Sequence, residues 1–320
     1  MTSPNASFDD IITTTLQGYS KKLADNVTNH NALLRYLDEK GNKNYATGRT
    51  IVQELDYAEN STVKWYSGAE ILDVSGSETF TAAEYTYKQL NGNVVINGLE
   101  EIQNSGKEAI HNLMKSRIKN LERSLKNTMA TALYGDGTGS NGKELGGLQL
   151  IVADTNTNAV GGIDANTYAF WQNKVYDFSA ASGSPTPSST TIQTAMNEMY
   201  LDTTRGADKV DFIVADKNYY KHYWESLQAN QRFTVDTKAS AGFQNVAYAG
   251  NVPVFFDSEC PTDHMYFLNT DYLFLRPSKG REFTPSKDRM SVNQDSMVKP
   301  VFWAGNMTCS NRALQGVLHN

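Results

Sequence analysis

Cysteine is scarce: Cys260 and Cys309 are the only two thiols in a chain of 320 residues. They stand far apart with no paired spacing, so neither a disulfide framework nor a zinc site is expected, and both read as ordinary reduced cysteines. Long apolar runs are missing as well. No stretch approaches the roughly 20 residues that a membrane helix needs, and Met1-Thr2-Ser3-Pro4-Asn5 leads into a polar segment without the basic and apolar regions of a secretion signal. A cytoplasmic product is therefore expected, and the Asn-x-Thr triplets at Asn26, Asn60 and Asn306 carry no glycosylation meaning there. An excess of positive charge is also absent. The formal net charge is -6, the opposite of a surface built to hold nucleic acid by neutralising phosphates.

Catalytic vocabulary is thin. His30, His111, His222, His264 and His319 have no partner at metal-ligand spacing, and none sits in a nucleophile motif. His111 lies within a helical pattern, where a polar or interface role outweighs catalysis. Asp211 and Asp216 flank a buried strand and read as turn residues. Tyr219, Tyr220, Tyr223 and Trp224, interleaved only with Lys217 and Lys221, read as a packed helix face and not as a base-stacking platform. One stretch does imitate chemistry: Gly137-Thr138-Gly139-Ser140-Asn141-Gly142-Lys143 has the spacing of a phosphate-binding loop. It follows a helix instead of opening one, and Glu144 stands where a hydroxyl would hold magnesium, so a carboxylate would repel the phosphate.

With 39% hydrophobic and 20% charged residues, the chain is long enough to bury two cores. Its most regular stretch starts near Leu99. Apolar residues recur at Ile102, Ala109, Ile110, Leu113, Met114, Ile118, Leu121, Leu125, Met129, Ala132 and Leu133, the spacing of one helical face. Ser105 to Glu108 fits a capping box, and the four glycines between Gly135 and Gly142 stop the helix. About 30 residues at about 1.5 Å each would reach about 45 Å. Before it, Ile12, Leu16, Tyr19, Leu23 and Val27, then Leu33, Leu34 and Leu37, mark an arm with helical pieces whose stripes need a partner surface. Strands are expected over 50–55, 62–66 and 85–90 through 94–96, with an acidic tip between the second and third. Such a two-stranded excursion is marginal alone. After the glycine loop, 145–152 reads as a turn into a strand, 181–191 as a loop, 192–200 and 218–227 as helices, and 210–215 as a buried strand. Strands and turns follow to the end, closing with 301–309 and 311–318.

This order of segments resembles the major capsid proteins of tailed bacteriophages. Local wording agrees at Phe80-Thr81-Ala82-Ala83-Glu84-Tyr85, at Tyr134-Gly135-Asp136-Gly137-Thr138-Gly139 and at Gly146-Gly147-Leu148. It agrees again at Gly161-Gly162-Ile163-Asp164 with Phe170-Trp171, and at Trp303-Ala304-Gly305-Asn306-Met307-Thr308. The resemblance implies the α+β capsid fold shared by tailed phages and herpesviruses. It assigns an N-terminal arm to 1–48, an extended β-hairpin loop to 49–97, a peripheral domain with the long spine helix to 98–149, a mixed α/β axial domain to 150–285, and a return to the peripheral domain over 286–320. It further implies a non-enzymatic protein of the virion, assembled in the bacterial host cytoplasm from hexamers and pentamers into an icosahedral shell. That shell encloses double-stranded DNA without sequence-specific binding and involves no membrane. No catalytic, cofactor-binding or metal-ligating residue is assigned. Nothing before Phe8 matches the long cleaved scaffolding region of some relatives, so a separate scaffolding protein is expected, together with a portal; a decoration protein is left open. The lysine and asparagine that cross-link some relatives find no matched positions here. Two alternatives remain: a nanocompartment shell of the same fold, and a cytoplasmic nucleotide-binding α/β enzyme using Gly137 to Lys143.

Overall fold

The structure, a computed structural model, describes residues 32–40, 44–103, 107–181, 185–228, 246–249, 252–286, 289–290 and 295–320. The Ile12 to Val27 stripe, His30 and the Ser105 cap lie outside the described residues. The described residues begin with helix α1 (Ala32–Lys40), continue through strands β1 (Ile51–Asp56), β2 (Phe80–Tyr85) and β3 (Lys88–Asn97), and reach helices α2 (Gly98–Gln103) and α3 (Lys107–Tyr134). Strands β4 (Ala159–Val160), β5 (Ile163–Asp164) and β6 (Lys174–Asp177) lead to α4 (Ile192–Asp202), β7 (Phe212–Ala215) and α5 (Lys217–Gln228). Strands β8 (Val246–Tyr248), β9 (Val252–Phe256), β10 (His264–Leu268), β11 (Leu273–Pro277), β12 (Thr284–Pro285), β13 (Arg289–Met290), β14 (Ser296–Cys309) and β15 (Gly316–His319) complete it.

Two sheets organise these elements. A mixed six-stranded sheet has the order β6-β15-β10-β7-β9-β8, and its central strands alternate their side chains between two cores. Phe212 and Val214, Tyr266 and Leu268, and Val317 belong to one core, while Ile213 and Ala215, Met265 and Phe267, and Leu318 belong to the other. A period of two thus splits each strand between the faces, and the second face is covered by α4 and α5 through Met196, Met199, Tyr219 and Tyr223. The other sheet is built around β14. Strands β11, β12 and β13 pair along one side of it, and β3 pairs along the other through ten residues, Lys88 opposite Gly305 to Asn97 opposite Ser296. Helix α3 lies on β3, with Leu121 and Leu125 over Gly92 and with Met129 and Leu133 buried. The side chains of Ile110, Leu113 and Met114 lie outside the described ones.

Several expectations need correction. The 62–66 segment is not a strand: it has no partner strand, and β propensity without a cross-strand neighbour has nothing to stabilise it. Strand β2 covers Phe80–Tyr85 and pairs with β1, whereas Lys88–Asn97 belongs to the β14 sheet, so the two-stranded ribbon is shorter than 49–97. The chain changes sheets at Thr86 and Tyr87, where Asn306 Nδ2 donates to Thr86 O at 2.9 Å. The 145–152 segment forms a helical turn, Leu148–Ile151, because Gly147 lies against the last carbonyls of α3 and Leu148, Ile151 and Val152 are buried. Finally, α1 does not wait for a partner. Leu33 and Leu37 are fully buried in the chain's own core, Ala32 N donates to Asp257 Oδ2, and Lys40 Nζ meets Asp271 and Thr270 at 2.8 Å as well as Asp211.

A buried arginine unforeseen in the sequence fixes the loops beneath the six-stranded sheet. Arg312, fully buried, donates from Nε to Ile151 O (2.7 Å) and from Nη2 to Asn158 Oδ1 (2.7 Å) and Asn173 Oδ1 (3.0 Å). It stands over the Trp171 ring. Burial lowers its pKa to about 10. At the sheet's end, His264 faces His319 across β10 and β15, and its Nε2 bonds Asp154 at 3.1 Å while Nδ1 bonds Thr262 O at 2.7 Å. Burial opposes charge on His264, but the bonds to Asp154 and Thr262 outweigh it and raise its pKa, while the His264 bond lowers that of Asp154.

Two outcomes are expected. A Cβ at Gly147 would stand 2.3 Å from Leu133 O and 2.5 Å from Ala132 O, both backbone atoms, whereas one at Gly92 meets side-chain atoms of Leu121 and Leu125, the nearest being the movable Cδ1 of Leu121. Gly147→Ala should therefore cost about 1–3 kcal/mol in urea denaturation, and Gly92→Ala clearly less. The His264–Asp154 pair should contribute fully between about pH 4 and about pH 6.5, the unfolded values of the two groups. Its contribution fades as pH rises through the raised His264 pKa, and again as pH falls through the lowered Asp154 pKa. Thermal midpoints from about pH 6 to about pH 9 should decline more steeply in the native chain than in Asp154→Asn; parallel curves would refute the pairing.

Candidate functional site

The ribbon of β1 and β2 has a fixed base and an unsupported tip. At the base, Ile51, Leu55, Ala83 and Tyr85 are buried. Tyr85 Oη donates to Cys309 O at 3.2 Å and accepts from Cys309 N at 3.3 Å, and Glu84 N donates to Gly161 O at 2.8 Å. Gly161 is needed there, since its φ is +62° and a Cβ would stand 2.7 Å from that of Ala83. Arg276 Nη2 donates to Gln53 Oε1 at 2.6 Å, which ties the ribbon to β11. Beyond Asp56 the chain runs to Phe80 without regular structure. Its side-chain bonds stay within the excursion: Thr62 N to Asn60 Oδ1, Ser75 N to Asp73 Oδ1, Lys64 Nζ to Ile71 O, and Ser61 N and Oγ to Ser77 Oγ across its two arms.

That tip carries apolar side chains into water. Trp65 is 101% exposed, Val74 93%, Ile71 91% and Val63 81%, values that no folded core would leave in place. Glu59, Glu70, Asp73 and Glu78 accompany them, with Lys64 the one basic residue of 57–79.

A groove lies elsewhere, between the start of β3, the end of α3 and the glycine loop. Its volume is about 490 Å³. The floor is apolar, made by Leu90, Met129, Ala132, Leu145 and Trp303, and Lys88, Lys143 and Glu144 stand at its edge. Lys88 Nζ donates to Gly142 O, and Glu144 Oε1 accepts from Ser140 Oγ at 2.8 Å. The Gly137 to Lys143 loop therefore does not cradle a phosphate. It follows α3, holds Ser140 and Asn141 in left-handed conformations (φ 52° and 60°), and has the Glu144 carboxylate against Gly139.

The remaining sequence candidates fall into structural positions. Asp216 accepts from Tyr219 N (2.9 Å) and Asp263 N (3.0 Å), and Asp211 accepts from Thr270 N (2.8 Å), the roles of helix cap and turn. Tyr219 and Tyr223 are buried in the second core. Cys260 and Cys309 are free and buried, and burial raises both thiol pKa values, Cys309 to about 12. His222 lies 4.0 Å from Glu225, and the side chain of His111 lies outside the described ones. Among the described residues, no three His, Cys, Asp or Glu side chains are placed to hold a metal, and no helix is long and apolar enough to cross a membrane.

No protein-family model matches this sequence, and no curated protein sequence matches it. Solved structures do. The capsid asymmetric unit of cyanophage A-1(L) aligns with a TM-score of 0.68 at 14% identity, over 94% of this chain and 95% of that one. The capsid of a native GTA particle gives 0.60 at 11% identity, over 96% of each chain. The SrpI encapsulin of Synechococcus elongatus PCC 7942 gives 0.58 at 10% identity, over 98% of this chain and 95% of that one. With its mixed helices and sheets matched over nearly its whole length, the chain has the fold of tailed-phage capsid proteins, which the encapsulin shares.

Proposed function

We propose that this chain is a structural subunit that assembles as hexamers and pentamers into an icosahedral capsid enclosing a phage double-stranded DNA genome. The observation that carries this reading is the ribbon, whose base is locked into the subunit while Val63, Trp65, Ile71 and Val74 stand in water at its tip. Fully burying such side chains is worth about 1.5–3 kcal/mol each, and no described residue of the subunit supplies that burial. The capsid fold supports the reading because extended tips over adjacent subunits are what a closed shell of such tiles uses. In this reading 1–48 is the arm, 49–97 the extended loop, whose outer part is the β1–β2 ribbon and whose last strand β3 runs back along β14, 98–149 and 286–320 the peripheral domain, and 150–285 the axial domain. The chain performs no catalytic step and needs no cofactor. A separate scaffolding protein and a portal are its assembly partners, and the shell, built in the host cytoplasm, becomes the virion. An acidic chain with net charge -6 fits this role, since a shell confines DNA by enclosure and not by phosphate contacts. The encapsulin likeness favours a second reading, a protein-loaded nanocompartment.

Negative-stain microscopy of the purified chain, with a scaffolding protein supplied if needed, should show closed shells or capsomers. A strictly monomeric particle under every assembly condition would overturn the proposal, and packaged protein in place of DNA would decide for the nanocompartment. Deleting 67–78 should leave circular dichroism and the thermal midpoint unchanged while abolishing shells; normal assembly of that variant would sink the role given to the tip.

A further inference from the structure

We propose that the strip of α3 formed by Lys119, Arg123 and Lys126 docks against the phosphate backbone of double-stranded nucleic acid, so that this face of the subunit turns toward the enclosed genome. The inference rests on the shell-forming reading and names the surface that reading leaves without an orientation.

Three observations carry it. First, the net charge of -6 conceals a segregation. Helix α3 holds Lys107, Lys115, Arg117, Lys119, Arg123 and Lys126 against Glu108 and Glu122 alone. The acidic excess therefore belongs to the rest of the chain. Arg117 is already engaged, with Nη1 and Nη2 on the Glu100 carboxylate at 2.8 and 3.0 Å. Further along the helix Lys119 and Lys126 are exposed, and Arg123 is half-buried between them.

Second, helical spacing gathers these three cations. Steps of four and three residues at about 3.6 residues per turn place 119, 123 and 126 within an arc of about 60°. That arc stands about a third of a turn from the Leu121, Leu125 and Met129 stripe that faces β3. Along the axis the strip covers about 10 Å at about 1.5 Å per residue. A duplex carries one negative charge per about 1.7 Å of its axis, so it meets the strip with phosphates wherever it lies, and no sequence register is needed. Exposed Asn120 adds an amide of the kind that bonds phosphate oxygens, and exposed Glu122 subtracts one charge. Single strands are held instead on aromatic stacking platforms, and α3 has no Phe, Tyr or Trp before Tyr134. The strip therefore suits a duplex backbone and not unpaired bases.

Third, the two sides of the β3 layer differ. Val94 and Ile96 are buried on the side that α3 covers. Gln89, Asn91, Asn93, Val95 and Asn97 alternate to the other side, all exposed and none charged. A polyanion finds cations on the α3 side of this layer and neutral amides on the other, and that asymmetry orients the subunit. Enclosure still does the confining; the strip adds a few salt-sensitive contacts per subunit.

The test is fluorescence anisotropy of a short labelled duplex of random sequence, titrated with the full chain between about 50 and about 200 mM salt. Two to three phosphate contacts give a slope of log K against log salt between about -2 and about -3, an affinity loss of about 10- to 40-fold across that range. Combining Lys119→Gln, Arg123→Gln and Lys126→Gln should weaken binding about tenfold or more at the low-salt end and flatten the slope toward zero. Combining Lys174→Gln, Lys217→Gln and Lys221→Gln removes the same charge from exposed sites elsewhere and should leave binding as in the native chain. Equal losses in the two variants would overturn the proposal, because net charge and not the strip would then set the affinity. No binding at the low-salt end, tighter binding of a single strand of the same length, or equally tight binding of polyglutamate would overturn it as well. Lysine acetylation of the native chain with and without the duplex, read by mass spectrometry, places the contact without any substitution. Lys119 and Lys126 should be protected while Lys217 and Lys221 react as before, and the reverse pattern contradicts the strip. Shells that form from a chain without duplex binding would sink this contact and keep the shell reading; duplex binding by a chain that never assembles would do the reverse.

Discussion

The ten-residue pairing of β3 with β14 is the constraint from which the other positions follow. It joins opposite ends of the chain, Asn97 to Ser296 and Lys88 to Gly305, so its loop-closure entropy must be met before any of its contacts reward folding. Once made, it gives α3 a floor, because Leu121 and Leu125 lie over Gly92 of β3. It also gives β11, β12 and β13 a common partner in β14. The strand change at Thr86 and Tyr87, held by Asn306 of the same β14, then sets the direction in which the ribbon leaves the subunit. Losing this one pairing would release the helix, the second sheet and the ribbon together.

Buried polar groups finish what the hydrophobic cores leave loose. Desolvating a guanidinium is costly unless each donor finds an acceptor, and Arg312 meets that demand with Ile151, Asn158 and Asn173 instead of a carboxylate. Three points of the 151–173 stretch are thereby held to one residue near the other end of the chain. Asp257 does the same near α1 and α3: its carboxylate accepts from Ala32 N (3.1 Å), Tyr134 Oη (2.8 Å) and Glu259 N (3.1 Å). Its acidic charge joins burial in raising the Tyr134 pKa. Hydrophobic area draws these elements together without direction, and directional bonds of this kind select one arrangement.

What was legible in the sequence was periodicity. The three-to-four spacing through Leu121, Leu125, Met129 and Leu133 matches α3, and the apolar run at Phe212 to Ala215 matches a strand buried on both faces. Pairing was not legible. Thr62 to Tyr66 and Phe80 to Tyr85 are both rich in strand formers, yet only the second has a partner, β1, and propensity alone cannot tell them apart. The run at Leu145 to Val152 is too short for its apolar pattern to separate a strand from a helical turn; the close contact of Gly147 with Leu133 O settles it for the turn. Nor does any local pattern mark Arg312 as buried or Leu33 and Leu37 as self-docked, since both depend on surfaces supplied from elsewhere in the chain. The groove was hidden for the same reason, as its walls come from β3, α3, the glycine loop and β14.

The exposed tip constrains the symmetry of any assembly it builds. A two-fold contact would exchange two tips reciprocally and end with a single pair of copies. A contact in which each copy gives its tip to one neighbour and receives the tip of another is heterologous, and such contacts close into rings when the rotation between copies divides a full turn. The rigid base of the ribbon fixes that rotation, through Tyr85, Gly161 and Arg276. The tip, whose internal bonds are few and exposed, can follow small changes in it. A ribbon fixed at its base and loosely bonded at its tip sets the direction of such a contact while absorbing small differences in angle.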